Sequence, residues 1–320
     1  ITDELWPANF NAIGLCADDR LFFPFSFGPF LGFWAAFEGA TRQGRFVLAG
    51  GGMTSAARLQ LIAEHSITIV FCTPTYALRL AEVAAEERFD LAGSTVRAVV
   101  LAGEPGGNVP ATRARIEAAW GARAFDHSGM TEIGALGIEY EDVPGRLFLL
   151  EDHCIAEFIN PADGTPAAEG ELAELVLTNL GRWDSPLLRY RTGDLVRWRR
   201  DVKPAAAPWP YVSLEGGILA RADDMLWVKG NNVYPSAIEE VLRGIAEVAE
   251  YRLEVRGPQA AADLTIIVEP AAGAEADPLL ERVARSVQDK LYFRPTVKAA
   301  TAGSLPRFEM KAQRVVRIDG

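Results

Sequence analysis

Apolar residues in the first third of the chain fall into short, nearly unbroken runs separated by stretches with helical spacing. Residues 67–72 and 96–101 are apolar at nearly every position, the pattern of strands covered on both faces. Between them, 76–88 places Leu78, Leu80 and Val83 on one arc and predicts a helix. Residues 46–49 read as a shorter strand, followed by Gly50-Gly51-Gly52 and a helix over 55–65 with Leu59, Leu61 and Ile62 apolar. Proline opens a further helix over 110–120. Strand, helix and strand in this order predict right-handed crossovers and a parallel sheet. Ligands of such sheets gather at the carboxyl ends of the strands, here Cys72-Thr73-Pro74-Thr75 and Ala102-Gly103-Glu104-Pro105-Gly106.

From Leu147 the period shortens to two. Residues 154–159, 172–178, 187–190 and 195–198 predict short antiparallel strands divided by turns such as Asp163-Gly164. A proline- and alanine-rich surface loop follows at 203–210. Beyond Asp223 the pattern is mixed, with strands at 225–228, 248–255 and 264–268 and helices at 235–243 and 279–291. The predicted fold is α/β: a large core with mainly parallel sheets plus a small antiparallel β unit over 1–222, then a small α+β domain over 223–320.

Composition narrows the function. The chain has 320 residues, 49% hydrophobic, with 32 basic against 43 acidic side chains, so its net charge is −11. That balance opposes general nucleic-acid binding, while a local cationic cluster still suits a small anion. Cys16, Cys72 and Cys154 lie far apart with no C-x-x-C pair, which argues against a disulfide framework and for a reducing cytoplasm. The apolar stretch at 21–37 is broken by Pro24, Gly28, Pro29 and Gly32, so no membrane span is expected there. Ile1 is not methionine and the first element starts abruptly, as in a fragment of a longer protein.

Eight aromatic residues crowd into 22–37, and Phe25, Phe27 and Phe30 either pack the core or wall a flat apolar pocket. The glycine triplet lacks the Lys-Ser/Thr of a phosphate loop and reads as a tight turn. Three segments are more distinctive. They are Asp126-His127-Ser128-Gly129-Met130-Thr131-Glu132, Arg189-Tyr190-Arg191-Thr192-Gly193-Asp194, and Arg221-Ala222-Asp223 running into Val228-Lys229-Gly230-Asn231. A terminal Leu305-Pro306-Arg307-Phe308-Glu309-Met310-Lys311-Ala312-Gln313-Arg314 completes the set.

In this order and spacing, these segments resemble the adenylate-forming superfamily, in particular its phenylacetate–coenzyme A ligase branch. The resemblance runs from the loop at Phe25 to Arg314, and Cys72-Thr73-Pro74-Thr75-Tyr76 and Glu151-Asp152-His153 point to that branch. It implies that a carboxylate attacks the α-phosphorus of ATP, pyrophosphate leaves, and the acyl adenylate passes to the thiol of coenzyme A. By the same resemblance Lys311, Thr131 and Glu132 are catalytic, with Glu132 holding Mg²⁺. Gly103, Glu104, Pro105, Asp126, His127, Ser128, Gly129, Met130, Asp194 and Arg221 bind the nucleotide. The C-terminal domain is a mobile lid turning about Asp223, which withdraws Lys311 and brings Lys229, Gly230 and Asn231 to a coenzyme A tunnel.

The implied acid is aromatic: phenylacetate, benzoate, or an amino- or hydroxybenzoate. Its pocket takes in Phe25, Phe27, Phe30, Ala102, Gly103, His127 and Gly129. His127 is either a satisfied polar group or a partner for an amino or hydroxyl substituent. Three departures from the family pattern stand out. No Ser/Thr/Gly-rich phosphate loop ending in lysine is found, Ser128 replaces the aromatic residue that stacks on adenine, and Met310 replaces the glycine before the lysine. Cys72, His127, His153 and Cys154 match no zinc spacing. Two other readings stay open, a carrier-protein-loading enzyme and a non-catalytic nucleotide-binding module. A homodimer is also left open.

Overall fold

The computed structural model describes residues 2–28, 31–228, 231–257, 263–309 and 311–318, which group into two compact units. The first comprises Ile1–Leu219 with Glu309–Lys311, the second Ala220–Phe308 with Ala312–Gly320. The first begins with α1 (Thr2–Ala12), β1 (Arg20–Phe23), α2 (Leu31–Arg42), β2 (Phe46–Ala49) and α3 (Ser55–Glu64). It continues with β3 (Ile69–Cys72), α4 (Pro74–Glu86), β4 (Ala98–Ala102), α5 (Pro110–Trp120) and β5 (Arg123–Met130). Six antiparallel strands follow: β6 (Gly134–Tyr140), β7 (Val143–Leu149), β8 (Cys154–Ile159), β9 (Leu172–Asn179), β10 (Tyr190–Arg199) and β11 (Ser213–Glu215).

All these strands lie on one hydrogen-bonded path, β2-β1-β3-β4-β5-β6-β7-β11-β10-β9-β8. The first five are mutually parallel, and the direction reverses at the β5–β6 pairing. The expected parallel core and antiparallel unit are thus two halves of a continuous sheet. Successive side chains alternate between two cores, as the pleat requires. Leu21, Phe23, Ile69, Phe71, Val100 and Phe125 join one cluster with Trp6 and Phe10 of α1. Phe22, Val70, Cys72, Val99, Leu101 and Ala124 join the other with Leu59, Tyr76, Ile116 and Trp120 from α3, α4 and α5.

Local signals place the helices. Thr54 and Thr73 cap α3 and α4 by accepting the Ala57 and Tyr76 N–H groups at 3.2 and 3.1 Å. Gly121 ends α5 at φ +60°. Gly106 sits at φ +142°, where a Cβ would come within 2.7 Å of the Pro74 side chain, so only glycine lets this connection pass the start of α4. One expectation is corrected. The strands read at 187–190 and 195–198 give way to a single strand, β10, which starts only at Tyr190 and whose register with β9 shifts between Arg191 and Leu195 around Gly193 at φ +76°. The bulge looked like a turn because it carries turn residues.

The second unit opens with β12 (Ala220–Arg221) and a 3-10 turn at Ala222–Asp224, then the antiparallel pair β13 (Leu226–Val228) and β14 (Asn231–Val233). After α6 (Pro235–Arg243) come β15 (Val248–Arg256), β16 (Asp263–Pro270), α7 (Ala276–Leu291), β17 (Thr296–Ala299) and β18 (Val315–Ile318). Its sheet runs β17-β16-β15-β18, with Ile238, Leu242, Leu279 and Val283 among the core residues that α6 and α7 supply. Two ion pairs anchor the terminal motif. Arg307 binds Glu269 on β16, and buried Arg314 donates to both oxygens of Glu250 on β15 at 2.8 and 3.0 Å. Among the described residues no helix is long and apolar enough to cross a membrane.

Phe71 stacks on Phe23 with ring centroids 4.8 Å apart and meets Trp6 and Phe10 edge-on. Phe71→Ala should therefore cost roughly 3–5 kcal/mol of unfolding free energy in urea titrations; a loss below about 1 kcal/mol would show that the cluster collapses around the gap.

Candidate active site

The carboxyl ends of β3, β4 and β5 come together because their register is parallel: Cys72 pairs with Leu101, and Ala102 with His127. Immediately beyond Ala102, Gly103 adopts φ +94°, and a Cβ built on it would lie 3.4 Å from Cε of Lys311. The exposed Lys311 thus stands beside the backbone that leaves β4. Glu104 of the same turn has a structural task, accepting the Thr75 N–H at 2.9 Å at the start of α4. Its neighbour Pro105 continues the turn toward Gly106.

Asp126 and His127, where β5 stops pairing with β4, are buried. Behind them lies a charge network that the sequence reading missed. Glu139 on β6, 0% exposed, takes a bidentate bond from Arg113 of α5 with both distances 2.7 Å, and it accepts the Asp126 N–H at 3.1 Å. Asn108 donates to the Asp126 carboxylate at 2.7 Å. Burial, then the nearby Glu139 charge, pushes Asp126 up to about 7. Burial pushes His127 down to about 4, which keeps its imidazole neutral at neutral pH. The His127 ring packs against Trp6 of α1 at 5.1 Å between centroids. Trp6 Nε1 and His127 Nδ1 are both buried with no hydrogen-bond partner among the described residues.

Ser128 pairs with Gly137 across the β5–β6 ladder, Gly129 lies under the Gly134 carbonyl, and Met130 packs on the larger core. Thr131 and Glu132 stand exposed in the turn that follows, and both their carbonyls accept hydrogen bonds from Arg182. On β10 the bulge buries Asp194, whose N–H is held by Thr192 Oγ1 at 3.0 Å. Arg191 of that motif pairs instead with Glu174, and Arg189 with Glu157. In the second unit Arg221 bonds Asp223 at 3.0 Å, and Asn231 pairs with Val228.

The aromatic candidates separate. Phe25 is core, whereas Phe27 is partly buried and leans on Trp34 at 4.6 Å. Phe30, Lys229 and Gly230 lie outside the described residues. The structure therefore brings together Ala102, Gly103, Glu104, Asp126, His127 and Lys311 at one end of the parallel strands. It adds Trp6, Asn108, Arg113 and Glu139, for which the signal in sequence was a lone acid inside the apolar run of β6. Cys72 and Cys154 fall in different clusters, and no three His, Cys, Asp or Glu residues among those described form a metal site. A hard cation carried by nucleotide phosphates needs only one or two protein carboxylates, and the exposed Glu132 carboxylate fits that demand.

Residues 230–318 match the family described as AMP-binding enzyme C-terminal domain. The chain is 30% identical over 315 residues to a phenylacetate–coenzyme A ligase of Escherichia coli, covering 95% of this chain and 70% of that protein. It is 33% identical over 307 residues to a phenylacetate–coenzyme A ligase of Thermus thermophilus, covering 89% and 68% respectively. Among solved structures, 2-hydroxyisobutyryl-CoA ligase in the postadenylation state with its acyl-AMP superposes with a TM-score of 0.91 at 29% identity, over 98% of this chain and 69% of the other.

The buried carboxyl at 126 sets a pH dependence. The fold keeps a proton that an ordinary Asp, at 3.8, would have released, so this group's contribution to stability falls as pH rises from about 4 to about 7. Asp126→Asn should therefore gain stability relative to the parent protein across that window, in urea unfolding at stepped pH. A pH-independent difference would contradict the assigned protonation.

Proposed function

Because the chain belongs to the phenylacetate–coenzyme A ligase family of adenylate-forming enzymes, we propose that it is an AMP-forming ligase activating an aromatic carboxylic acid with ATP and passing the acyl group to coenzyme A. The observation that carries this reading is Lys311 beside Gly103 at the carboxyl end of the parallel strands. There one ammonium can bridge two anions that would otherwise repel, the acid carboxylate and the α-phosphate. Thr131 donates to the phosphate, and Asp194 takes the ribose hydroxyls. Glu104 and its neighbours Gly103 and Pro105 line the base, and Arg221 contacts the ribose or phosphate. Glu132 would hold Mg²⁺, which would supply neutralisation of phosphate charge. Residues 1–222 supply the nucleotide cleft and 223–320 the lid. Asp223 is the hinge, and Lys229, Gly230 and Asn231 border the thiol channel.

The acid pocket lies between Phe27, Ala102, Gly129 and His127. Two buried polar atoms without partners among the described residues, Trp6 Nε1 and His127 Nδ1, support an acid whose ring bears a hydroxyl or amino group. The enzyme works in the cytoplasm, where its unpaired cysteines would remain reduced.

Two measurements test the proposal. Acid-dependent pyrophosphate release should fall on the order of 10²- to 10³-fold in Lys311→Ala, while thioester formation from supplied acyl adenylate persists; equal loss of both steps refutes the role. In an acid panel, hydroxy- and aminobenzoates should give thioester on free coenzyme A. Thioester only on a phosphopantetheinyl protein would favour carrier loading, and thioester only from a short aliphatic acid would overturn the aromatic assignment.

A further inference from the structure

Arg58 lies on α3, away from every segment assigned a role above, yet its guanidinium is held on three sides. Its side chain is only 3% exposed. Nε donates to the Gly50 carbonyl at 2.9 Å, and Nη1 donates to the Tyr76 hydroxyl, which Ser55 also bonds at 3.0 Å. The same Nη1 donates to Glu309 Oε2 at 3.0 Å. Glu309 precedes Lys311 by two residues, and both group with the first unit.

A guanidinium cannot shed its proton, so a buried one needs an anion. The neutral partners here, a carbonyl and a phenol, orient Arg58 without balancing its charge, and Glu309 supplies the balance. The cation is rigid and the carboxylate is 55% exposed, so the carboxylate is the member of the pair that is drawn into place. Two residues further on, Lys311 then reaches Gly103. The glycine triplet acquires a purpose in this arrangement. Gly50 offers the carbonyl that aims Arg58, and a Cβ there would meet the Phe22 ring at 2.8 Å.

We infer that Arg58 is a positioning residue for the adenylation step, its ion pair fixing Glu309 so that the Lys311 ammonium, two residues on, stands at the end of β4. The inference rests on the adenylation role proposed for Lys311, and the test separates the two.

In the intact natural polypeptide, Glu309→Ala, Glu309→Asp, Arg58→Met, the Arg58→Met/Glu309→Ala double variant and Lys311→Ala are compared in both half-reactions. Glu309→Ala should lose roughly 10- to 100-fold in acid-dependent pyrophosphate exchange, as misplacement of a catalytic group does. It should convert supplied acyl adenylate to thioester at the parental rate. Glu309→Asp should recover part of the loss, and the double variant should be no slower than the worse single variant. Parental exchange in Glu309→Ala alongside a crippled Lys311→Ala would overturn the inference alone, as would multiplicative losses in the double variant. Parental exchange in Lys311→Ala would overturn the role of that lysine and the inference with it. Should Arg58→Met fail to fold, the two Glu309 variants decide, because that carboxylate lies largely in solvent.

Discussion

Strands β1, β3 and β4 have no free face. Phe22, Val70 and Val99 point into one core while Phe23, Phe71 and Val100 point into the other, so all but the half-buried Arg20 and Ala102 at the strand ends are committed to packing. Polar chemistry has room only where the strands stop. That constraint explains why Gly103, Asp126 and His127 lie together although up to 24 residues separate them, and why the loops leaving β3 and β4 are rich in capping and turn residues. The cluster of polar groups at this end is a by-product of burying two hydrophobic layers against one sheet.

Burial also decides the charge state of what stands at those ends. Burial keeps His127 neutral, and burial with the Glu139 charge behind it lets Asp126 hold its proton to near neutrality. Beside them Lys311 sets one positive charge against Gly103. Against a net charge of −11, this end of the sheet therefore carries less negative charge than its count of acids suggests.

Much of the fold was legible because it rests on local signals. An opening proline announced the helix at 110–120, amphipathic spacing the one at 235–243, and unbroken apolar runs announced β3 and β4. Elements whose amphipathic pattern is blurred were not read: α1 contains Pro7, and the aromatic run that ends β1 and fills α2 obeys neither period cleanly. The candidate residues in glycine-containing motifs were visible for the same reason the motifs are odd, namely polar groups among apolar neighbours. Trp6, Arg58, Arg113 and Glu139 stayed hidden because their partners lie 121, 251, 26 and 26 positions away, and pairing at that distance leaves no periodic trace.

The terminal motif shows how such long-range pairing confers a metric. Arg307 is moored to Glu269 and Arg314 to Glu250, with Lys311 between them. Each residue of extended chain spans about 3.3–3.6 Å, so one insertion or deletion inside 308–313 would displace the ammonium by more than a hydrogen bond's length. Side chains along that tether can vary where they face solvent. The count of residues between its moorings cannot, and evolutionary drift in this stretch is expected to proceed by substitution with its length held constant.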